Sequence, residues 1–213
     1  MLRTIEIECS YTSGTTGVKK ISKRVMDTMA AVPRDEFVPE EMKPYAFDNG
    51  PLPIGNGQTI SQPFIVALMT DLLHPEAEKT ILEIGTGCGY QAAIIARLVK
   101  RVHTIEIVPV LAGQARDRLE DLGIRNVEVH LGDGHKGLPK FAPFDGIIVT
   151  AAANRIPASL IEQLKPGGRL VIPVGPPNSL QFLMLIEKDR NGLVDSREVL
   201  AVSFVPFIGE EQD

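Results

Sequence analysis

The chain has 213 residues, of which 44% are hydrophobic and 23% charged, enough to bury one substantial core but not two full catalytic domains. Lys and Arg total 22 against 27 Asp and Glu, and no basic block stands out that would neutralise a row of phosphates, so a nucleic-acid partner is not expected. Cys9 and Cys88, the two cysteines, lie far apart in dissimilar settings, which excludes a disulfide framework and a CxxC zinc cluster.

The first ten residues alternate acidic and apolar side chains and lack the basic flank and apolar core of a signal peptide. No later stretch approaches the roughly 20 apolar residues of a membrane span. The expectation is a reducing, cytoplasmic compartment and no membrane partner. Residues 9–20 contain Gly14-Thr15-Thr16-Gly17, which lacks both P-loop spacing and a preceding strand, so this stretch reads as a flexible loop. A helical pattern covers 21–31, followed by a proline-bounded segment at 32–39 and a loop from 49 to 62. Pro63 opens a helix over 63–73, because proline is tolerated in a first turn and Ser61 stands just ahead of it as a candidate cap.

The pattern changes near 75–79, dividing a helical and loop segment, 1–78, from a core, 79–213, on which it packs as one compact unit. Beyond the change, short apolar runs alternate with longer amphipathic segments. Strands are expected at 80–84, 102–105, 127–130, 146–150 and 169–174, with helices at 90–99, 109–122 and 157–164. Two more strands, 181–187 and 197–204, flank a turn at Asp189-Arg190-Asn191-Gly192 and form an antiparallel pair. The predicted fold class is α/β: a Rossmann-like, doubly wound, mostly parallel sheet with an N-terminal helical and loop appendage and an antiparallel C-terminal strand pair.

The sharpest local signal is the strand Ile81-Leu82-Glu83-Ile84 running into Gly85-Thr86-Gly87-Cys88-Gly89 and then a helix. Glycines there let the backbone approach a ligand, and ligands of open parallel sheets bind just beyond the strand ends. The spacing is GxGxG, not the GxGxxG that places pyrophosphate on a helix N-terminus, and the carboxylate of Glu83 would repel a phosphate. It suits a ligand with a positive end, such as the amino group and sulfonium of S-adenosyl-L-methionine. Glu106, ending the second strand, offers two acceptor oxygens to ribose hydroxyls. Gly132-Asp133-Gly134, after the third strand, sets a carboxylate where an adenine amine can donate to it. Each piece alone has a plainer reading: a structural turn, a solvated strand end, an ordinary turn aspartate.

In this order the pieces resemble class I S-adenosylmethionine-dependent methyltransferases over residues 80–174. The resemblance implies S-adenosyl-L-methionine as cofactor and S-adenosyl-L-homocysteine as product. It assigns the site to Glu83, Gly85, Thr86, Gly87, Cys88, Gly89, Glu106, Gly132, Asp133 and Gly134, with no metal.

The flanks are more specific. Val32-Pro33-Arg34-Asp35-Glu36-Phe37-Val38-Pro39, Ile54-Gly55-Asn56-Gly57-Gln58-Thr59-Ile60-Ser61-Gln62-Pro63, the loop from Glu83 to Gln91, Ala142-Pro143-Phe144-Asp145, Val149-Thr150-Ala151-Ala152 and Phe204-Val205-Pro206-Phe207 together resemble the protein-L-isoaspartate O-methyltransferase family. That resemblance implies a monomeric enzyme that methylates the free α-carboxylate of L-isoaspartyl residues in damaged proteins and peptides. The ester then closes to a succinimide that reopens partly to aspartate. It places Thr59, Ile60 and Ser61 in the substrate pocket and makes Ser61 the active-site residue, while the capping role for Ser61 stays open beside it. A carboxylate is already a competent nucleophile, so alignment and exclusion of water are the main demands on the protein.

Cys88 departs from the family, which more often carries serine there; a small thiol fits. His74, His103, His130 and His135 show no metal-like spacing in sequence. The helix over 109–122 carries Arg116, Asp117, Arg118, Glu120 and Asp121 and reads as a solvated face. Thr150-Ala151-Ala152-Ala153 lacks the Asn/Asp-Pro-Pro-aromatic cluster of enzymes that methylate base amines. A small-molecule acceptor and a noncatalytic cofactor-binding protein remain the competing readings.

Overall fold

The computed structural model describes residues 1–177 and 179–209. The chain opens with helices α1 (Leu2–Thr16) and α2 (Lys23–Ala31), passes through two 3-10 turns at Arg34–Phe37 and Glu40–Tyr45, and forms a small hairpin from β1 (Leu52–Gly55) and β2 (Gln58–Ile60) before α3 (Pro63–Leu73). The core then alternates β3 (Thr80–Ile84), α4 (Tyr90–Ala96), β4 (Arg101–Glu106), α5 (Pro109–Asp121), β5 (Val127–Leu131), β6 (Phe144–Val149), α6 (Ala158–Glu162), β7 (Leu164–Val174), β8 (Gln181–Lys188) and β9 (Val194–Val202).

The main sheet has the order β5-β4-β3-β6-β7-β8-β9. Its first five strands are parallel, while β8 and β9 run antiparallel at the far side. The predicted doubly wound α/β class with its antiparallel C-terminal pair is therefore what forms. The chain leaves β3 for β4 on one side and returns to β6 on the other, so the loops after β3 and β6 diverge and open a crevice at their C-terminal ends.

The central strands are buried on both faces, which is why they read as continuous apolar runs. Successive side chains serve opposite layers: Ile81 joins the cluster that includes α1, α2, α3 and α4, whereas Leu82 joins the cluster on the other face with Phe144, Leu160 and Ile186. Ten of the eleven residues of α3 are buried, since it is covered by α1 and α2 and lies on the sheet at β6 and β7.

Three expectations need correction. Residues 9–20 are not a loop for most of their length: α1 runs through Cys9 to Thr16 and stops at Gly17, whose φ of 73° is the left-handed conformation glycine adopts without strain. The Ser- and Thr-rich sequence hides a narrow buried stripe, Ile5 and Cys9, that is satisfied by the distant α3. The loop expected at 49–62 contains the β1–β2 hairpin, turned by Asn56-Gly57, both at positive φ. The predicted helix at 157–164 is shorter, because Leu164 already pairs with Phe144 as the start of β7.

Candidate active site

The loop after β3 is held by its neighbours. The Gly85 and Thr86 amides donate to the Ile105 carbonyl at 2.9 and 3.1 Å, tying it to the end of β4. The Thr150 hydroxyl, at the end of β6, donates to the Gly85 carbonyl at 2.6 Å. Gly85 has φ 90°, and a Cβ there would stand 2.5 Å from Thr150 Oγ1. A side chain is thus excluded by conformation and by space, and the loop presents bare backbone to the crevice.

Glu106 closes the β4 side. Its Oε2 accepts from the Gly87 amide at 2.8 Å and its Oε1 from the Val108 amide at 2.9 Å. A carboxylate offers about four lone-pair sites, so both oxygens retain acceptor capacity toward a ligand while they fix the loop.

The facing wall comes from the N-terminal segment, where Gln58, Thr59, Ile60 and Ser61 line the cleft. The two sequence readings of Ser61 separate here. The N-cap of α3 is Gln62, without a side-chain cap bond, and the Phe64 amide donates instead to Asn49 Oδ1 at 3.3 Å. Asn49 does the capping from an earlier loop, so the Ser61 hydroxyl is not engaged in it. A third wall, Val205 to Ile208, is laced to the end of β6: the Ala152 amide donates to the Val205 carbonyl and the Phe207 amide to the Ala152 carbonyl, at 2.9 and 2.8 Å. The cleft between these walls is open to solvent.

Of the residues read from sequence, Thr59, Ile60, Ser61, Gly85, Thr86, Gly87, Cys88, Glu106 and Gly134 line this cleft. Glu83, Gly89, Gly132 and Asp133 are not among its lining residues. Strand alternation turns Glu83 into the layer beneath α4, where it is 0% exposed. Its Oε2 takes the Thr104 hydroxyl at 2.5 Å, Thr104 in turn meets the Thr86 hydroxyl at 2.7 Å, and Oε1 has no partner. Burial pushes the Glu83 carboxyl up to about 8, so at neutral pH it is uncharged and reaches the loop through two threonines, not as an anion facing the ligand. Asp133 caps the short turn Gly134–Lys136, its Oδ1 accepting from the His135 amide at 2.9 Å. Gly132 donates its amide to the Glu106 carbonyl, and Gly89 is the N-cap of α4.

Several lining residues escaped the sequence reading as site residues. Ile107 and Val108 follow Glu106 directly, and that position was the available signal for them. Gln91 joins α4 to α3 through its 2.8 Å bond to Thr70 Oγ1, a contact with no local signature. Cys88 is buried, and desolvation raises its thiol to about 11, which keeps it protonated and inert.

A glycine loop, a strand-end carboxylate and a facing hairpin, arranged around the switch point of a doubly wound sheet, define a class I methyltransferase fold. The family model of protein-L-isoaspartate(D-aspartate) O-methyltransferase matches residues 15–212. The chain therefore belongs to the protein-L-isoaspartate(D-aspartate) O-methyltransferase family. Among curated relatives, protein-L-isoaspartate O-methyltransferase 2 of Syntrophobacter fumaroxidans is 56% identical over 98% of this chain and 85% of its own length. The enzyme of the same name from Nitrosococcus oceani is 56% identical over 100% and 96%. A solved protein-L-isoaspartate O-methyltransferase, 26% identical, superposes with a TM-score of 0.84 over 99% of this chain and 67% of that one. A Plasmodium falciparum structure described as a protein-L-isoaspartate O-methyltransferase in complex with S-adenosyl-L-homocysteine shares the fold, with a TM-score of 0.78 at 22% identity over 97% of both chains.

Proposed function

We propose that the chain transfers a methyl group from S-adenosyl-L-methionine to the free α-carboxylate of L-isoaspartyl residues in damaged proteins and peptides, a repair reaction that leads through a succinimide to partial restoration of aspartyl. Family membership over nearly the whole chain supports the reaction class. The observation that carries the assignment to this cleft is the placement of Thr59, Ile60 and Ser61 across from the glycine loop, with α3 capped by Asn49.

The residues present fit the cofactor: a side-chain-free loop at Gly85 and a carboxylate at Glu106 with acceptor capacity, both on the wall of an open cleft. Once bound, the cofactor supplies an activated methyl group on a sulfonium leaving group. The protein's part is positional. Ser61 and the backbone beside it orient the acceptor carboxylate by hydrogen bonds, and no covalent bond to Ser61 is required. Val205 to Ile208 and Ile60 wall the cleft with apolar surface that limits water. On this reading residues 1–78 form the acceptor side and 79–213 the cofactor side of one unit.

No helix among the described residues is long and apolar enough to cross a membrane. The excess of acidic over basic residues and two buried, free thiols support a cytoplasmic enzyme acting on protein and not on nucleic acid, and we take it to act as a monomer. The decisive assay is transfer of labelled methyl from S-adenosyl-L-methionine to two peptides that differ only in an isoaspartyl or aspartyl linkage. Selective, base-labile labelling of the isoaspartyl peptide is expected. Preference for the aspartyl peptide, or labelling of neither while the cofactor binds, would reject the assignment.

A further inference from the structure

Away from the cleft, β4 and β5 bring three donor side chains to one face of the sheet. His103 pairs with Glu128 in the parallel register, and His130 follows Glu128 by two residues, so all three project the same way. Their donor atoms converge: His103 Nδ1 is 3.1 Å from His130 Nε2, the two oxygens of the Glu128 carboxylate lie 3.6 Å (Oε2) from His103 Nδ1 and 3.7 Å (Oε1) from His130 Nε2, and one donor atom from each residue falls within 4.8 Å of the other two. A tetrahedral zinc ion with bonds of about 2.0–2.1 Å holds its nitrogen and oxygen donors about 3.3–3.5 Å apart. In spacing the trio therefore approaches one face of such a tetrahedron, which the partly exposed Glu128 carboxylate completes by turning one oxygen between the two imidazoles. Among the described residues it is the group of three His, Cys, Asp or Glu donors that converges in this way.

The setting suits an ion with one open position. Phe141 stacks on His103 with ring centroids 4.4 Å apart and lies 5.0 Å from His130, closing the inner side. The side chain of Glu128 is 45% exposed against 5% for His103, so entry is from the Glu128 side. Without an ion, the 3.1 Å contact between the imidazoles needs a hydrogen on one of the two facing nitrogens. Binding requires that hydrogen on the ring's other nitrogen, as in any neutral metal-ligating histidine. The opposing charges are Arg101, whose Nη1 is 3.7 Å from Glu128 Oε2, and Lys140 and Arg116 beside His130. Arg101, 57% exposed, is free to swing into solvent.

We propose that His103, Glu128 and His130 bind one divalent transition cation of the zinc class, with water at the fourth position. The ion clips β5, the outermost strand on that side, to β4. His103 stands three positions before Glu106, about 10 Å along the strand at ~3.3 Å per residue, and none of the three donors lines the cleft, so the site is distinct from it and independent of the methyl-transfer reading.

The test uses the full chain without a histidine tag, stripped by chelator and titrated with zinc chloride by calorimetry, with Co²⁺ absorption as the reporter of nitrogen ligation. One equivalent is expected, with a melting temperature that rises with zinc concentration. Glu128→Gln and His130→Gln should each weaken binding at least about tenfold, as loss of even an outer partner does at metal sites. Methyl transfer should stay at the parent level in both, and metal-free melting should stay there in Glu128→Gln, whose side chain is 45% exposed. Absence of one-equivalent binding at millimolar zinc would overturn the proposal. So would equal affinity in parent and variants, which would assign the ion to other groups such as Cys9 or Cys88.

Discussion

Ser61 and Cys88 line the same cleft but play different parts. The Ser61 hydroxyl is not used to cap α3, whose first free amide goes to Asn49, so it is available to an acceptor carboxylate. A hydrogen bond to a charged group contributes about 1.5–3 kcal/mol. Ser61→Ala is accordingly expected to lower turnover on an isoaspartyl peptide by roughly 10- to 100-fold while cofactor affinity changes little. Equal turnover in the variant would remove Ser61 from the site. Cys88 sits in the loop itself with its thiol raised to about 11 by burial. Cys88→Ser should bind cofactor within about threefold of the parent, since only a small side chain is needed there, and the folded parent should resist thiol alkylation at pH 8. Rapid alkylation at Cys88 would contradict the buried, protonated thiol. Both residues were legible in the sequence because they lie inside contiguous motifs. Gln91 and Asn49 were not, because their partners Thr70 and Phe64 are fixed by how helices pack and not by spacing along the chain.

At the scale of elements, the proline-bounded segment at 32–39 shows how the N-terminal part is held to the core. Arg34 is 0% exposed, its Nε donates to the Ala46 carbonyl at 2.8 Å, and its guanidinium lies 4.9 Å from the ring centroid of Tyr90, the first residue of α4. Among the described residues no carboxylate pairs with it, so its contribution is packing and backbone satisfaction, offset by desolvation of the charge. Arg34→Ala should cost about 3 kcal/mol through the cavity and the orphaned carbonyl. Arg34→Met, which restores volume and removes the buried charge, should recover more than half of that in urea denaturation. A Met variant as unstable as the Ala variant would show that the guanidinium bonds dominate. The sequence marked this segment by resemblance alone; nothing local in it predicts a buried arginine.

For the whole molecule, Glu83 links protonation to folding. Its carboxyl titrates near 8 in the folded chain against 4.5 as the ordinary value, so the folded state keeps a proton that the unfolded chain releases. The stability associated with the protonated form is fully present below about 4.5, declines as pH rises, and is lost above about 8, with a slope of up to ~1.4 kcal/mol per pH unit. Glu83→Gln cannot ionise. Relative to the parent it should gain stability between pH 5 and pH 8.5, by a few kcal/mol on the order set by such a shift. Denaturation curves at several pH values check this, and parallel profiles for parent and variant would show that Glu83 does not titrate as described.

The alternation of strands and helices along the chain, the parallel core, the antiparallel C-terminal pair and the glycine loop were legible in the sequence, because hydrophobic periodicity and glycine placement act over a few neighbouring residues. The family was legible for the same reason, its motifs being contiguous. What faces what was decided by tertiary structure. Glu83 and Glu106 look alike in sequence as strand-end carboxylates, yet strand register buries one beneath α4 and sets the other on the cleft wall. The burial of α1, the closure of the cleft by Val205 to Ile208, and the meeting of His103 with His130 likewise join residues far apart in the chain. Their proximity follows from sheet order and register, which local spacing does not encode.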